Sequence, residues 1–151
     1  MFEEVVIATD GSESAQRAVR MALDFAARFD ACVHALYVVD ETELQGSPDE
    51  IQAELEQALE DAGGEALSFV REQTAGETGN DCIKTAVREG EPAGEIIAYA
   101  EECDADLIAT GTRGRHGDHA FLLGSVAEAV VRRSPVPVLT IRQLSEDEQR
   151  H

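Results

Sequence analysis

The most informative stretch of this sequence is Ala109-Thr-Gly-Thr-Arg-Gly-Arg-His-Gly-Asp-His-Ala-Phe-Leu-Leu-Gly-Ser-Val-Ala-Glu128. An apolar run, Ala105 to Ala109, leads into it and is typical of a buried strand, and apolar residues at helical spacing follow Gly124. Glycine lets a backbone turn sharply and approach a ligand closely, and the start of a helix offers unpaired N–H groups to an anion. The stretch therefore predicts a strand, a phosphate-binding loop and a helix.

Apolar runs and amphipathic segments alternate along the rest of the chain. The runs predicted as strands are Val5–Thr9, Cys32–Val39, Asp81–Arg88, Asp106–Thr110 and Pro135–Arg142. This alternation predicts one α/β domain over residues 1–144, a doubly wound five-stranded parallel sheet of order 3-2-1-4-5. Residues 145–151 have no apolar side chain and are predicted to be a disordered tail.

Local signals refine this architecture. The third strand is less apolar than the others, and Pro137 cannot donate to a strand ladder, so both outer strands are predicted at sheet edges. The pair Gly63-Gly64 is expected to weaken a long helix that begins near Glu50. The polar segment 40–49 is expected to be a flexible flap.

Ligands of open parallel sheets bind at the carboxyl ends of the strands, where the winding direction reverses. In this strand order that point lies between strands one and four, so Asp10 is predicted to face the glycine loop. Asp10 is a candidate for a ribose hydroxyl or for Mg²⁺ held through water. Ser125 and Glu128 fit a capping box, and the Ser125 hydroxyl with the N–H groups of Val126 and Ala127 is a candidate phosphate site.

The net charge of −19 excludes nucleic acid and anionic membranes as natural partners. Lys84 is the single lysine, and acidic excess with scarce lysine predicts a halophilic protein whose acidic surface keeps it soluble in high salt; a solvated acidic face on a mesophilic protein is the alternative. Five arginines form a basic island between Gly111 and Arg142, with only two acids among them. They are Arg113, Arg115, Arg132, Arg133 and Arg142.

Several classes of site lack their motifs in this sequence. The three cysteines are far apart and unpaired in any metal or redox spacing, so they are predicted to be small buried thiols. The P-loop lysine motif, the dinucleotide glycine motif and the nucleophile elbow are absent, which argues against a dedicated enzyme. The acidic N-terminus is unlike a signal peptide and no apolar run reaches the ~18 residues of a membrane span, so a cytoplasmic location is expected.

The spacing Gly111-x2-Gly114-x9-Gly124-Ser125 resembles the nucleotide-binding signature of the universal stress protein family. The resemblance extends over residues 3 to 142 and includes Ala8-Thr-Asp-Gly-Ser12, Leu36-Tyr-Val-Val-Asp40 and Ser134-Pro-Val-Pro-Val138. It implies an adenine nucleotide alpha hydrolase-like fold and a homodimer paired through the last strand, Val136 to Arg142.

The ATP-binding branch of that family implies a set of site residues. By this resemblance Thr9, Asp10 and Val38 surround the nucleoside, while Gly111 and Gly114 line the ribose and phosphates. The phosphate chain of ATP or AMP then lies on Gly124, Ser125, Val126 and Ala127, with Arg113 and Arg115 supplying positive charge. Many relatives have an apolar and a basic residue where this chain has Asp118 and Ala120, which predicts weaker triphosphate binding or greater dependence on Mg²⁺.

Three functional hypotheses follow from the residues and the resemblance. The first is a homodimeric, regulatory stress-response protein that binds an adenine nucleotide. The second is a dimeric scaffold that binds no nucleotide and acts through its surface. The third is a slow Mg²⁺-dependent ATPase, which lacks an evident general base.

Overall fold

The computed structural model describes residues 2–45, 48–74, 82–112 and 123–142. Five parallel strands form one sheet in the order β3-β2-β1-β4-β5, as predicted. The strands are β1 (Glu4–Ala8), β2 (Cys32–Asp40), β3 (Ile83–Gly90), β4 (Leu107–Gly111) and β5 (Val138–Ile141). The helices are α1 (Glu13–Arg28), α2 (Glu41–Gln45), α3 (Asp49–Thr74), α4 (Pro92–Glu102) and α5 (Ser125–Arg133).

The sheet is covered on both faces, which is why its central strands read as unbroken apolar runs. In β1, Val5 and Ile7 point into a core shared with α1 and α3. Val6 and Ala8 point the other way, into a core shared with α4 and α5. Alternate residues of one strand therefore fill two separate cores, and the strand ends are left to form the site.

Both predicted edges are confirmed. β3 and β5 are the outer strands of the sheet, and Gly90 is the one buried residue of β3. Pro137 immediately precedes β5, and its carbonyl accepts a hydrogen bond from the Ile108 N–H at 3.0 Å. A proline at that place removes no donor from the ladder.

Gly63 and Gly64 do not interrupt the long helix, and their weakening effect on it stays a prediction. α3 runs without a break from Asp49 to Thr74. A Cβ on Gly63 would lie 2.7 Å from Cδ1 of Tyr37, a ring that is fully buried in the core. Gly63 is therefore needed for close packing of the helix on β2, while Gly64 is exposed and has open space around it.

Two expectations are corrected. The segment after β2 is not a loop, because Glu41–Gln45 forms the short helix α2. The three cysteines are not all thiols: a disulfide joins Cys32 to Cys82, and both are half-buried rather than buried. Spacing hid this pair, since the two residues are 50 apart in sequence and meet only because their strands are neighbours. Cys103 remains free and half-buried.

Where the structure describes the chain, no helix is both long and apolar enough to cross a membrane. The predicted tail at 145–151 lies outside the described residues.

Candidate functional site

The carboxyl ends of β1, β2 and β4 lie side by side. Ile7 pairs with Ala109 of β4 and Ala8 pairs with Leu36 of β2. Thr9 and Asp10 follow directly after β1, Val38 lies near the end of β2, and Gly111 is the last residue of β4. Adjacent strands are about 4.8 Å apart, so the three predicted nucleoside positions and the first loop glycine lie around one crevice.

A tight polar turn follows β1. Thr9 is 8% exposed, and its N–H donates to the Leu36 carbonyl at 3.0 Å. One carboxylate oxygen of Asp10 accepts from the N–H and the hydroxyl of Ser12, at 2.9 and 2.6 Å. The Ser12 hydroxyl oxygen in turn accepts from the Ala15 N–H and caps α1. The turn therefore fixes the Asp10 carboxylate at the start of α1.

Gly11 makes this turn possible. Its φ is +77°, in the left-handed region that L side chains rarely adopt. A Cβ there would also lie 3.2 Å from the Cβ of Ala66 in α3. The Asp-Gly-Ser sequence is thus a requirement of the backbone as well as of the polar turn.

A similar polar turn follows β2. Asp40 accepts from the N–H and the hydroxyl of Thr42, at 2.9 and 2.7 Å, and α2 follows. Val38 packs against the core on the α4 side of the sheet. The spacings Asp-x-Ser and Asp-x-Thr are sequence signals for such turns, because the aspartate side chain can accept a hydrogen bond from the residue two positions further on.

The glycine loop closes on itself after β4. The Thr112 N–H donates to the Ile141 carbonyl at 3.1 Å, which extends the pairing with β5. The Gly124 N–H then donates to the Thr112 carbonyl. This bond brings the start of α5 back to the carboxyl end of β4, so Gly111 and Gly124 lie at the same edge of the crevice.

The capping box predicted at Ser125 is wrong. Gly124 is the N-cap residue, with extended φ and ψ of −62° and 157°, and Ser125 is the first residue of the helix. The first helical bond runs from the Glu128 N–H to the Gly124 carbonyl at 2.9 Å, and no side chain among the described residues caps this end. The N–H groups of Ser125, Val126 and Ala127 precede that bond and have no partner within the helix.

The basic island is only partly available to a ligand. Arg132 pairs with Glu128 one turn earlier, and Arg133 pairs at 3.2 Å with Glu91, the residue that caps the start of α4. Both arginines lie in the last turn of α5, at the end away from the crevice. Both form exposed ion pairs on the surface, so two of the five arginines of the island are already paired with carboxylates.

Five residues singled out from the sequence fall between Thr112 and Leu123, outside the described residues. They are Arg113, Gly114, Arg115, Asp118 and Ala120.

A separate recess of about 240 Å³ lies beyond the carboxyl end of β3, lined by Glu41, Glu56, Glu89 and two glutamines. Three carboxylates at one recess disfavour a phosphate there. In the described part of the chain, no group of three or more His, Cys, Asp or Glu is placed to hold a metal.

The chain is similar to proteins of one family over nearly its whole length. The model of the universal stress protein family matches residues 1–142. The chain is 42% identical over 144 residues to the universal stress protein MJ0531 of Methanocaldococcus jannaschii, a match that spans 95% of this chain and 84% of that protein.

Solved structures share the fold. The hypothetical protein MJ0577, the subject of a structure-based assignment of biochemical function, superposes with a TM-score of 0.81 at 29% identity over 97% of this chain and 99% of that one. A universal stress protein in complex with cAMP superposes with a TM-score of 0.66 at 28% identity over 95% of this chain and 98% of that one.

Proposed function

The chain belongs to the universal stress protein family, and we propose that its crevice between β1 and β4 binds an adenine nucleotide in a regulatory role. The observation that carries the proposal is the hydrogen bond from the Gly124 N–H to the Thr112 carbonyl. It holds the N-terminus of α5 at the carboxyl end of β4, and β4 is the neighbour of β1 in the sheet. Three N–H groups with no partner inside the helix and the positive end of the helix dipole favour a phosphate there.

Each part of the nucleotide has a proposed position. Thr9, Asp10 and Val38 surround the adenosine, because their strand ends adjoin. Gly111 and Gly114 line the ribose and the first phosphate, where a side chain would intrude. The phosphate chain lies on Gly124 and the helix start, with the Ser125 hydroxyl free to donate because it does not cap α5. Arg113 and Arg115 are proposed to add positive charge.

An adenine nucleotide is favoured by a solved relative. A universal stress protein of the same fold, 28% identical to this chain, is in complex with cAMP. We propose ATP or AMP as the ligand here, with Mg²⁺ accompanying the phosphates of ATP. We propose that Asp118 and Ala120 weaken triphosphate binding. Many relatives have an apolar and a basic residue at these two positions, so this chain lacks one positive charge there.

The role is proposed to be regulatory rather than catalytic. A slow ATPase would need a general base, and the Asp10 carboxylate already accepts two hydrogen bonds from Ser12. The competing hypothesis of a slow ATPase requires Mg²⁺-dependent ADP release that Asp10→Asn abolishes. An empty dimeric scaffold requires that no nucleotide co-purifies, which native mass spectrometry tests directly.

A homodimer through residues 136–142 is proposed on the position of β5. This strand lies at the edge of the sheet, so one row of its backbone N–H and C=O groups is open to a second copy. Val131 on α5, the helix that precedes β5, is an exposed apolar residue. A cytoplasmic location stays a prediction from the sequence.

Calorimetry with ATP and AMP in molar salt tests nucleotide binding. The extended backbone of Gly124 accepts a β-branched residue, so Gly124→Val should fold while its side chain blocks the phosphate. Affinity should fall at least about tenfold, which is about 1.4 kcal/mol. Gly64→Val is the matched control, since its Cβ meets nothing within 4 Å. Unchanged affinity of Gly124→Val would refute the proposed site.

A further inference from the structure

The Cys32–Cys82 disulfide lies at the opposite end of the sheet from the crevice. Cys32 begins β2 and Cys82 immediately precedes β3, with their Cα atoms 4.8 Å apart. Between them the Val33 N–H donates to the Cys82 carbonyl at 2.9 Å. The bond closes a covalent ring that contains β2, α2, α3 and the entry to β3.

The disulfide joins two half-buried cysteines at the amino ends of neighbouring strands. Cys82 precedes the edge strand β3, and Cys32 begins β2 beside it. His34 and Lys84 lie two positions further along the two strands, on the same face and paired in register. Lys84 is exposed, two positions beyond Cys82 on the edge strand. Glu4, on the neighbouring strand, bonds to His34 at 2.7 Å.

β3 pairs with β2 over eight residues, but its side chains contribute less to the cores than those of the central strands. Every residue of β3 before Gly90 is half-buried or exposed, and Ile83 and Ala86 pack against the cores from partly buried positions. Its polar side-chain contacts include the Arg71–Thr85 hydrogen bond at 2.7 Å and the Arg88–Glu102 ion pair at 2.6 Å, both on the surface. Exposed polar ties contribute little, and segments with few buried apolar contacts are the ones that open locally.

β2 differs sharply from its neighbour. Seven of its nine positions are apolar or aromatic or small, and Val33, Ala35 and Tyr37 are fully buried. If the start of β3 separates from β2, the backbone N–H and C=O groups of β2 that face β3 lose their hydrogen-bond partners, and an apolar strand becomes an open edge. Such an edge is a template for pairing with another strand.

We propose that Cys32–Cys82 is a reversible redox modification site that controls whether the start of β3 is closed on β2. A dithiol reductant exchanges with the protein S–S bond through a mixed disulfide. The reductant gives up two electrons and two protons and becomes a disulfide, and the protein gains the thiols of Cys32 and Cys82. An oxidising disulfide reverses the reaction. This proposal is independent of nucleotide binding.

Cys103 is not a member of this site. It caps the end of α4, its thiol donates to the Ala100 carbonyl at 3.7 Å, and burial raises its pKa. A thiol with a raised pKa is a poor nucleophile at neutral pH. Cys103→Ser is therefore a control that removes a thiol without removing the proposed site.

The first test counts thiols in the folded protein. The full-length protein is equilibrated in dithiothreitol buffers of graded redox potential, quenched in acid, alkylated under denaturing conditions and weighed by mass spectrometry. We expect one alkylated cysteine at oxidising potentials and three at reducing potentials, with full return on reoxidation. Reduction that proceeds only at the rate of global unfolding would overturn the proposal, as would three thiols at every potential.

The second test follows β3 itself by hydrogen exchange and mass spectrometry. Protection of peptides covering Ile83 to Val87 should fall by about tenfold or more on reduction, and equally in Cys82→Ser without reductant. Cys103→Ser should retain the response of the wild type. Unchanged protection of β3 after complete reduction would overturn the proposal and leave the bond a static crosslink.

Discussion

The backbone N–H of Gly124 donates to the carbonyl of Thr112, and this single bond relates the helix α5 to the end of β4. It closes a loop of eleven intervening residues so that the strand end and the helix start share one edge of the crevice. Because of this bond, Gly111 and Gly124 lie close together although they are thirteen positions apart in sequence.

The two serines at helix starts are expected to behave differently. Ser12 caps α1, so Ser12→Ala should lower the free energy of unfolding by about 1 kcal/mol. Ser125 is the first residue of α5 and caps nothing, so Ser125→Ala should leave stability within about 0.5 kcal/mol while weakening nucleotide binding. Urea unfolding and calorimetry on both variants measure the contrast. Equal losses of stability would show that Ser125 is a cap after all.

The paired glycines of α3 offer a second contrast. Gly63→Ala places a Cβ 2.7 Å from the Tyr37 ring, so we expect a loss of about 1–3 kcal/mol in stability. Gly64→Ala meets open space in an exposed helix position and should gain about 0.5–1 kcal/mol. Thermal unfolding of the two variants is the measurement. If both substitutions stabilise the protein, α3 does not pack on β2 as described.

Asp106 is expected to make stability depend on pH in the acid range. The N–H groups of Glu3 and Glu4 donate to its carboxylate at 2.8 and 3.0 Å, and these bonds hold its pKa below the ordinary 3.8. A lowered pKa stabilises the fold above pH 3.8, and this contribution is lost as the pH falls through the folded-state value.

Asp106→Asn should therefore be less stable than the wild type at neutral pH, with the difference shrinking in acid. Asp104→Asn is the control, because Asp104 is exposed and has a φ of 53° that asparagine also accepts. Denaturant unfolding at a series of pH values measures both. A difference for Asp106→Asn that is constant from neutral to acid pH contradicts this role.

The net charge of −19 predicts a stability that rises with salt. The Debye length falls from about 10 Å at 0.1 M to about 3 Å at 1 M, which screens repulsion among exposed carboxylates. The unfolding temperature should therefore increase between these concentrations of KCl. An unfolding temperature that does not change with KCl would favour the ordinary solvated acidic surface and argue against adaptation to high salt.

The sequence by itself determined the five strands and the two edge positions, which depend on apolar runs, on helical spacing and on Pro137. These signals are local and can be read directly from the sequence, whereas the order of the sheet depends on pairing between strands that are distant in sequence. The sequence also singled out the turn at Asp10 and the helix after Gly124. The sequence misassigned some local hydrogen bonding. At the start of α5, Gly124 and not Ser125 is the N-cap residue, so the Ser125 hydroxyl does not cap the helix.

Only the tertiary structure decided which distant residues meet. Cys32 and Cys82 form a disulfide because β2 and β3 are neighbours in register, a relation that no spacing of cysteines encodes. Gly63 is a packing requirement because the Tyr37 ring lies over it, not a flaw in the helix. Arg133 is an ion-pair partner of Glu91 because α4 and α5 lie side by side. Composition counts charges along the chain, whereas the fold decides which of them are already paired.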